Sequence, residues 1–149
     1  MSRWVIKWNR RDSTGVGRPF DWATALSGPR MFECYGRAEG RGGETLANLQ
    51  PGNVALAYQA DDRTFHGVVR IITINSLANP PFLMVDRVHQ FPRPVRWASI
   101  VANAPLLQDA PAFRGGSAAE TIRKLSQDEY RLILESCGVD AAERTRLLI

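Results

Sequence analysis

Trp4-Val5-Ile6-Lys7-Trp8-Asn9 alternates two kinds of residue. Trp4, Ile6 and Trp8 fall on one side of an extended chain and Val5 and Lys7 on the other, the period of two that a half-buried β-strand requires. The face so defined is rich in indole. Packing alone is better served by Leu or Ile, which fill a core in well-defined rotamers and leave no N–H in need of a partner. The rings are therefore either core or, joined by Trp22, part of a surface that binds a flat ligand.

Around this strand lies a chain of 149 residues, enough for one domain with its own core, and residues 1–149 are read as a single domain. Hydrophobic residues at 44% and charged residues at 23% argue against a disordered or fibrous chain. No apolar run approaches the roughly 20 residues of a membrane helix. Met1-Ser2-Arg3 leads straight into the strand instead of a signal sequence, so the expectation is a soluble, cytoplasmic protein with no membrane partner. Cys34 and Cys137 have neither a CxxC spacing nor a His at metal-ligand distance, and both read as packing residues; no metal or other cofactor is expected. His66 and His89 stand alone and read as structural.

The net charge is +4, the pI about 9.6, and the basic residues are almost all arginine. The guanidinium fork suits phosphates and base edges, although a GC-rich genome produces the same bias. Placement adds to it. Up to Gly43 the chain carries Arg3, Lys7, Arg10, Arg11, Arg18, Arg30, Arg37 and Arg41 against Asp12, Asp21, Glu33 and Glu39, so the excess positive charge sits beside the tryptophans.

Downstream, Asn9 to Gly17 reads as a loop, and Phe20 to Leu26 as a short helix or turn carrying Trp22. Pro29 suits a first helical position for a segment Arg30 to Tyr35. Gly36 to Gly43, with four glycines and two arginines, reads as a basic loop; it lacks the Gly-Lys-Ser/Thr ending of a nucleotide P-loop. Glu44 to Leu49 reads as a helical turn or two. Pro51-Gly52 turns into a strand Val54 to Gln59, which Asp61-Asp62-Arg63 links to a strand Phe65 to Ile74 in a hairpin. Phe82 to His89 is a further strand, and Pro92 and Pro94 bend the chain before a helix Trp97 to Ala104. After the glycine-rich loop Phe113 to Ser117 come a strand Thr121 to Leu125, a capping box Ser126 to Glu129 and a helix carrying Tyr130, Ile133, Leu134 and Cys137 that stops at Gly138. Asp140 to Glu143 repeats the cap for a terminal helix. Five or six short strands with interspersed helices make this an α+β domain with a small curled sheet or barrel.

The Trp-Val-Ile-Lys opening, Trp22, Leu49-Gln50-Pro51-Gly52, the Val54 to Gln59 and Gly67-Val68 strands, Pro80-Pro81-Phe82-Leu83-Met84-Val85, Arg93-Pro94-Val95 and the Leu125-Ser126 entry to a Tyr130 to Leu134 helix follow in an order that resembles EVE domains. EVE domains are PUA-like small mixed β-barrels related to YTH domains. The resemblance implies a reader of a modified base, methylated adenine or modified cytosine in DNA or a modified base in RNA, taken up flipped into an aromatic cage. By motif it assigns base contacts to Trp8 and Asn9 and the first cage wall to Trp22, next to Ala23, with the second wall open among Trp8, Tyr58 and Phe82. Phosphate contacts fall to Lys7, Arg37, Arg41, Arg114 and Arg123. The chain departs from the pattern at Trp8, where Ser is usual, at Asn53, where Asp is common, at Phe82, where Trp is common, and in the Ile74 to Phe82 loop, which has no tryptophan.

A flipped base needs flat partners, edge donors and acceptors, and positive charge for the flanking phosphates, and all three residue types are here. Asn9 both donates and accepts, as an adenine or cytosine edge requires. Trp22, following a glycine-rich loop, is expected to serve the ligand and not the core. A nucleic-acid-modifying enzyme finds no paired carboxylates, no Ser/His/Asp arrangement and no metal cluster to work with. A protein-interaction module using exposed aromatics is the remaining alternative, and it would show a flat salt dependence of binding.

Overall fold

In the computed structural model, which describes residues 2–8, 20–35, 48–75, 77–78, 82–113 and 122–148, the indole-bearing stretch forms strand β1, Arg3–Trp8. All six residues are buried, so the strand is covered on both faces and is not the half-buried strand its alternation implies. The chain continues with α1 (Trp22–Ser27), β2 (Met31–Tyr35), β3 (Val54–Gln59), β4 (Thr64–Asn75), β5 (Phe82–Arg96) and α2 (Trp97–Asn103). Two 3-10 turns, Pro105–Asp109 and Pro111–Phe113, lead to β6 (Ile122–Leu125), α3 (Gln127–Ser136) and α4 (Ala141–Leu148).

The six strands form one mixed sheet in the order β2-β5-β4-β3-β1-β6, with β1 parallel to β3 and the other neighbours antiparallel. The α+β class, the small mixed sheet and the short flanking helices are as the sequence implies. Closure is not: β2 and β6 are the two edges, so the described sheet is open.

Residues paired across a ladder share a face. The β1–β3 register sets Trp4 beside Ala55, Ile6 beside Ala57 and Trp8 beside Gln59, so small residues of one strand leave room for the large rings of the other. This face packs with Trp22 and Leu26 of α1, Val69 and Ile71 of β4, and Leu83 and Val85 of β5. The opposite face, with Val5, Leu56, Tyr58 and Val68, is covered by Ile100 of α2 and by Tyr130, Ile133 and Leu134 of α3.

The expected β3–β4 hairpin is present, and the turn before it has a second task. Asn53 Oδ1 accepts the Gln50 N–H at 2.9 Å and the Trp4 indole N–H at 3.2 Å, so this one residue closes the turn and holds a buried ring. Within β4, a Cβ on Gly67 would lie 2.4 Å from the His89 carbonyl oxygen, so only glycine permits this approach of β4 to β5. Ser126 and Glu129 form the reciprocal cap of α3, Gly138 takes φ +78° just past its end, and Asp140 accepts the Glu143 N–H at 2.8 Å to open α4.

Two expectations are corrected. Arg30 to Tyr35 is no helix: Met31–Tyr35 pairs antiparallel with Phe82–Asp86, and its alternation of exposed Met31 and Glu33 with covered Phe32 and Cys34 suits an edge strand. Pro92 and Pro94 do not end the fifth strand, which runs on to Arg96. They sit where the pairing with β4 skips from Gln90 to Val95, a bulge in which a missing N–H costs no ladder bond.

Candidate functional site

β1 and β3 end side by side, and the carboxyl ends of parallel strands are where α/β sheets commonly seat ligands. Four rings gather at this end on the α1 face. Phe20 lies 5.0 Å from Trp8 in a tilted contact and 5.0 Å from Trp22 edge-on, and Phe32 stacks 6.5 Å from Phe20 and meets Trp22 edge-on at 6.2 Å. Trp8 and Trp22 are 1% and 0% exposed, whereas Phe20 and Phe32 keep part of their surface.

Trp22 is placed by two polar residues. Asp21 caps α1, its carboxylate accepting the Ala23 N–H at 3.0 Å and facing the Thr24 hydroxyl at 3.4 Å. Gln59, fully buried, accepts the Trp22 N–H at 2.9 Å through Oε1. Its Nε2 donates toward the carbonyls of Trp8 (3.1 Å) and Phe20 (3.0 Å) and toward Asp61 Oδ1 (2.8 Å). One amide thus ties the end of β1, the entry to α1 and the turn after β3. The indole Nε1 of Trp22 is buried and has no hydrogen-bond partner among the described residues. Such a donor costs about 1–3 kcal/mol, which an acceptor arriving on a ligand would offset.

No protein-family model matches the chain, and no curated protein matches its sequence. Solved structures do. Human THYN1 in complex with 5-methylcytosine-containing DNA superposes with a TM-score of 0.63 at 14% identity, over 92% of this chain and 98% of that one. The DUF55 (EVE) domain of human thymocyte nuclear protein 1 gives 0.61 at 15% identity, over 93% and 100%. Rpa0253 from Rhodopseudomonas palustris gives 0.65 at 14%, over 93% and 94%. The chain has an EVE-type, PUA-like fold. At these identities the likeness is one of architecture.

On this EVE-type sheet the residues singled out by sequence divide. Trp8, Trp22 and Ala23 come together at the ends of β1 and β3. Tyr58 pairs with Lys7, not Trp8, so its ring points to the α2–α3 face, 4.7 Å from Phe65 and 5.4 Å from Phe113. Phe82 alternates with Leu83, which enters the α1-side core, and is directed to the other side. Of the three candidates for a second wall, Trp8 therefore shares the face of Trp22, whereas Tyr58 and Phe82 do not. Trp22 also departs from its expected exposure: its ring is part of the core.

Lys7 is corrected as a surface phosphate contact. It is 2% exposed, and its Nζ donates to the Ala112 carbonyl at 2.9 Å between sheet and helices. Arg123, half-buried on β6 opposite Val5, shares that face. Asn9, Arg37, Arg41 and Arg114, with the loop of Gly36 to Gly43 and the stretch Glu44 to Ala47, lie outside the described residues.

Gln59, Phe20 and Phe32 are not singled out by sequence. Gln59 carries a signal, because the period of two puts it on the face of Ala55 and Ala57, where an amide must be satisfied by something buried. Chemically reactive groups are subdued. Burial pushes the Cys137 thiol up to about 12 and the Cys34 thiol further, so both stay protonated at neutral pH. Burial also raises the Tyr58 hydroxyl, against the opposing influence of Arg63. Among the described residues no group of His, Cys, Asp or Glu is placed to hold a metal ion, and no helix is long and apolar enough to cross a membrane.

Proposed function

We propose that this chain is a non-catalytic nucleic-acid-binding module that takes a modified base, methylated adenine or modified cytosine in DNA or a modified base in RNA, at the carboxyl ends of β1 and β3. The observation that carries the reading is the ring cluster there, held by a buried glutamine and containing an indole N–H that has no partner among the described residues. The shared architecture with a protein solved on 5-methylcytosine-containing DNA, over nearly the whole chain, supports it.

The division of exposure refines the roles. Phe20 and Phe32 retain accessible surface, so a flipped base meets them first, and each stacked ring is worth about 1–3 kcal/mol. Trp22 lies edge-on to both and buried behind them, and its indole N–H, unpartnered among the described residues, would meet an acceptor on a base that displaces the rings covering it. A methyl group on the base adds apolar area to bury, about 0.8 kcal/mol per carbon, and so favours the modified form. Asn9 continues the chain from Trp8 and supplies the edge contact, with Arg37, Arg41 and Arg114 as phosphate contacts.

The test is a binding screen of the chain against matched oligonucleotides carrying methyladenine, methylcytosine, hydroxymethylcytosine or no modification, in DNA and RNA. One modified strand is expected to bind at least several-fold tighter than its unmodified match. Trp22→Phe, which keeps a ring and removes the N–H, is expected to fold and to lose most of that preference. Equal affinity for all strands, or none for any, sinks the reading.

A further inference from the structure

Several arginines in the described part of the chain are held by carboxylates. Arg30 pairs with Asp86 at 2.9 Å, Arg131 with Asp128 and Glu135, Arg144 with Glu135 and Arg146 with Glu143. Arg63 and Arg96 are exposed and, like Arg93, pair with no carboxylate among the described residues. The fold nevertheless sets these two side by side. Thr64 faces Arg96 across the β4–β5 ladder, and the Trp97 N–H donates to the Arg63 carbonyl at 2.8 Å. With Asp62, Trp97 and Ala98 they line a cavity of about 200 Å³.

Three further features bear on what this cavity takes. Arg63 has φ +54°, the left-handed region, and is the one non-glycine residue there among the described residues. Glycine or asparagine would hold this turn with less strain, and the guanidinium that arginine brings instead meets the Tyr58 hydroxyl on one side and lines the cavity on the other. The turn is tied to the ring cluster, because Asp61, two residues earlier, receives the Gln59 amide that also binds the Trp22 N–H. Asp62 lines the same cavity, so two guanidinium groups face one carboxylate and the wall stays positive.

We infer that Arg63 and Arg96 form a phosphate clamp on the nucleic-acid strand, gripping a backbone phosphate next to the nucleotide whose base enters beside Phe20 and Trp22. This rests on the reading given under Proposed function and adds a strand contact that the base contacts do not supply. Two forked guanidinium groups offer paired N–H donors to the oxygens of one phosphate, a geometry that lysines do not reproduce. Phosphate contacts carry no sequence information, so the clamp sets register and affinity, whereas the ring cluster sets discrimination.

The experiment measures binding of the full chain and of Arg63→Ala, Arg96→Ala, the double variant and Asp62→Asn to one duplex with a single 5-methylcytosine and to its unmodified match, at three salt concentrations. A duplex carrying methyladenine serves in the same way if the screen selects that base. Each single arginine variant is expected to weaken both strands by the same factor and to flatten the salt dependence by about one unit of slope, the double variant by about two. The ratio between modified and plain strands is expected to stay within twofold of wild type; the melting temperature is expected to change little for Arg96→Ala, which has no carboxylate partner among the described residues to lose, and to fall modestly for Arg63→Ala, which loses its contact with the Tyr58 hydroxyl. Asp62→Asn is expected to tighten both strands. If the wild-type chain binds and the double variant keeps its full slope, the clamp is overturned and the base-reading proposal stands. If the wild-type chain binds no strand, that proposal falls and the clamp with it.

Discussion

Trp4, Trp8 and Trp22 all lie on the α1 face of the sheet, and Trp97 alone lies on the other. The α2–α3 face packs aliphatic side chains, Val5, Leu56, Val68, Ile133 and Leu134, together with the rings of Tyr58, Phe65, Phe91, Trp97 and Tyr130, and the Tyr130 hydroxyl donates to the Leu147 carbonyl at 3.1 Å. The α1 face instead buries indoles against alanines, relies on one amide to anchor the chain around them, and leaves the indole Nε1–H of Trp22 without a partner among the described residues. A face designed only to be filled has no need of that donor. The contrast teaches that the two faces are filled differently, and that on the α1 side the groups proposed to meet a base are the same ones that hold the fold.

Truncating Trp22 tests this coupling most severely. Because the ring is fully buried among Phe20, Phe32 and Leu26, Trp22→Ala is expected to cost about 3–5 kcal/mol in urea denaturation as well as abolishing base preference. The placement of Trp22 after a glycine-rich loop suggests the reverse, a ligand wall with little effect on stability. A loss under about 1 kcal/mol would restore that view and separate binding from folding on this face.

Gln59→Leu is a finer cut at the same face. It keeps most of the volume but strands the buried Trp22 N–H and releases the Trp8 and Phe20 carbonyls, so a loss of about 1–3 kcal/mol is expected. Affinity for modified and plain strands should fall together, since the amide positions the end of β1 and the turn carrying Arg63 and touches no ligand itself. If stability holds and only discrimination is lost, Gln59 contacts the base and its role as an anchor is wrong.

What can be read from sequence follows the range of the interactions involved. The alternation of Trp4, Ile6 and Trp8, the β3–β4 hairpin and the Ser126–Glu129 box are written in neighbouring residues, and each is present. β2 is misread because Pro29 is a good local helix start, while the partner that makes Met31–Tyr35 a strand lies far along the chain, at Phe82–Asp86. The choice among candidates for the second wall is left open for a related reason. Which ring joins Trp22 depends on the β1–β3 register, and a register that pairs Trp8 with Gln59 and Tyr58 with Lys7 keeps Trp8 on the face of Trp22 and sends the phenol to the far side of the sheet. Charge alone assigns Lys7 to phosphate, but its own alternation with Trp8 already places it on an inner face, where only a carbonyl such as that of Ala112 could satisfy it.

The smallest expected effect lies on the α2–α3 face and tests it through pH. His89 pairs with Val68, so it belongs to the α2–α3 side, and its Nδ1 lies 3.4 Å from Glu143 of α4 with its ring edge-on to Phe91 at 5.6 Å. The groups facing it are Glu143, Asp140 and Arg146, with Cys137 uncharged nearby. Glu143 shares its charge with Arg146, and the imidazole titrates below its usual range, first because burial disfavours the cation, then because of Arg146, with Asp140 opposing. A base with a lower pKa folded than unfolded binds more protons in the unfolded chain, so stability rises with pH in this window. The contribution is intact above the unfolded value, about 6.5, and is lost as pH falls toward the folded one. Urea denaturation at about pH 7.5 and pH 5.0, on either side of that value, should therefore show wild type losing more stability than His89→Gln, which has no proton to take up. At the higher pH that variant should read modified and plain strands as wild type does, because it lies across the sheet from the ring cluster. A change in discrimination on His89→Gln would mean that the two faces are coupled and that the division between them does not hold.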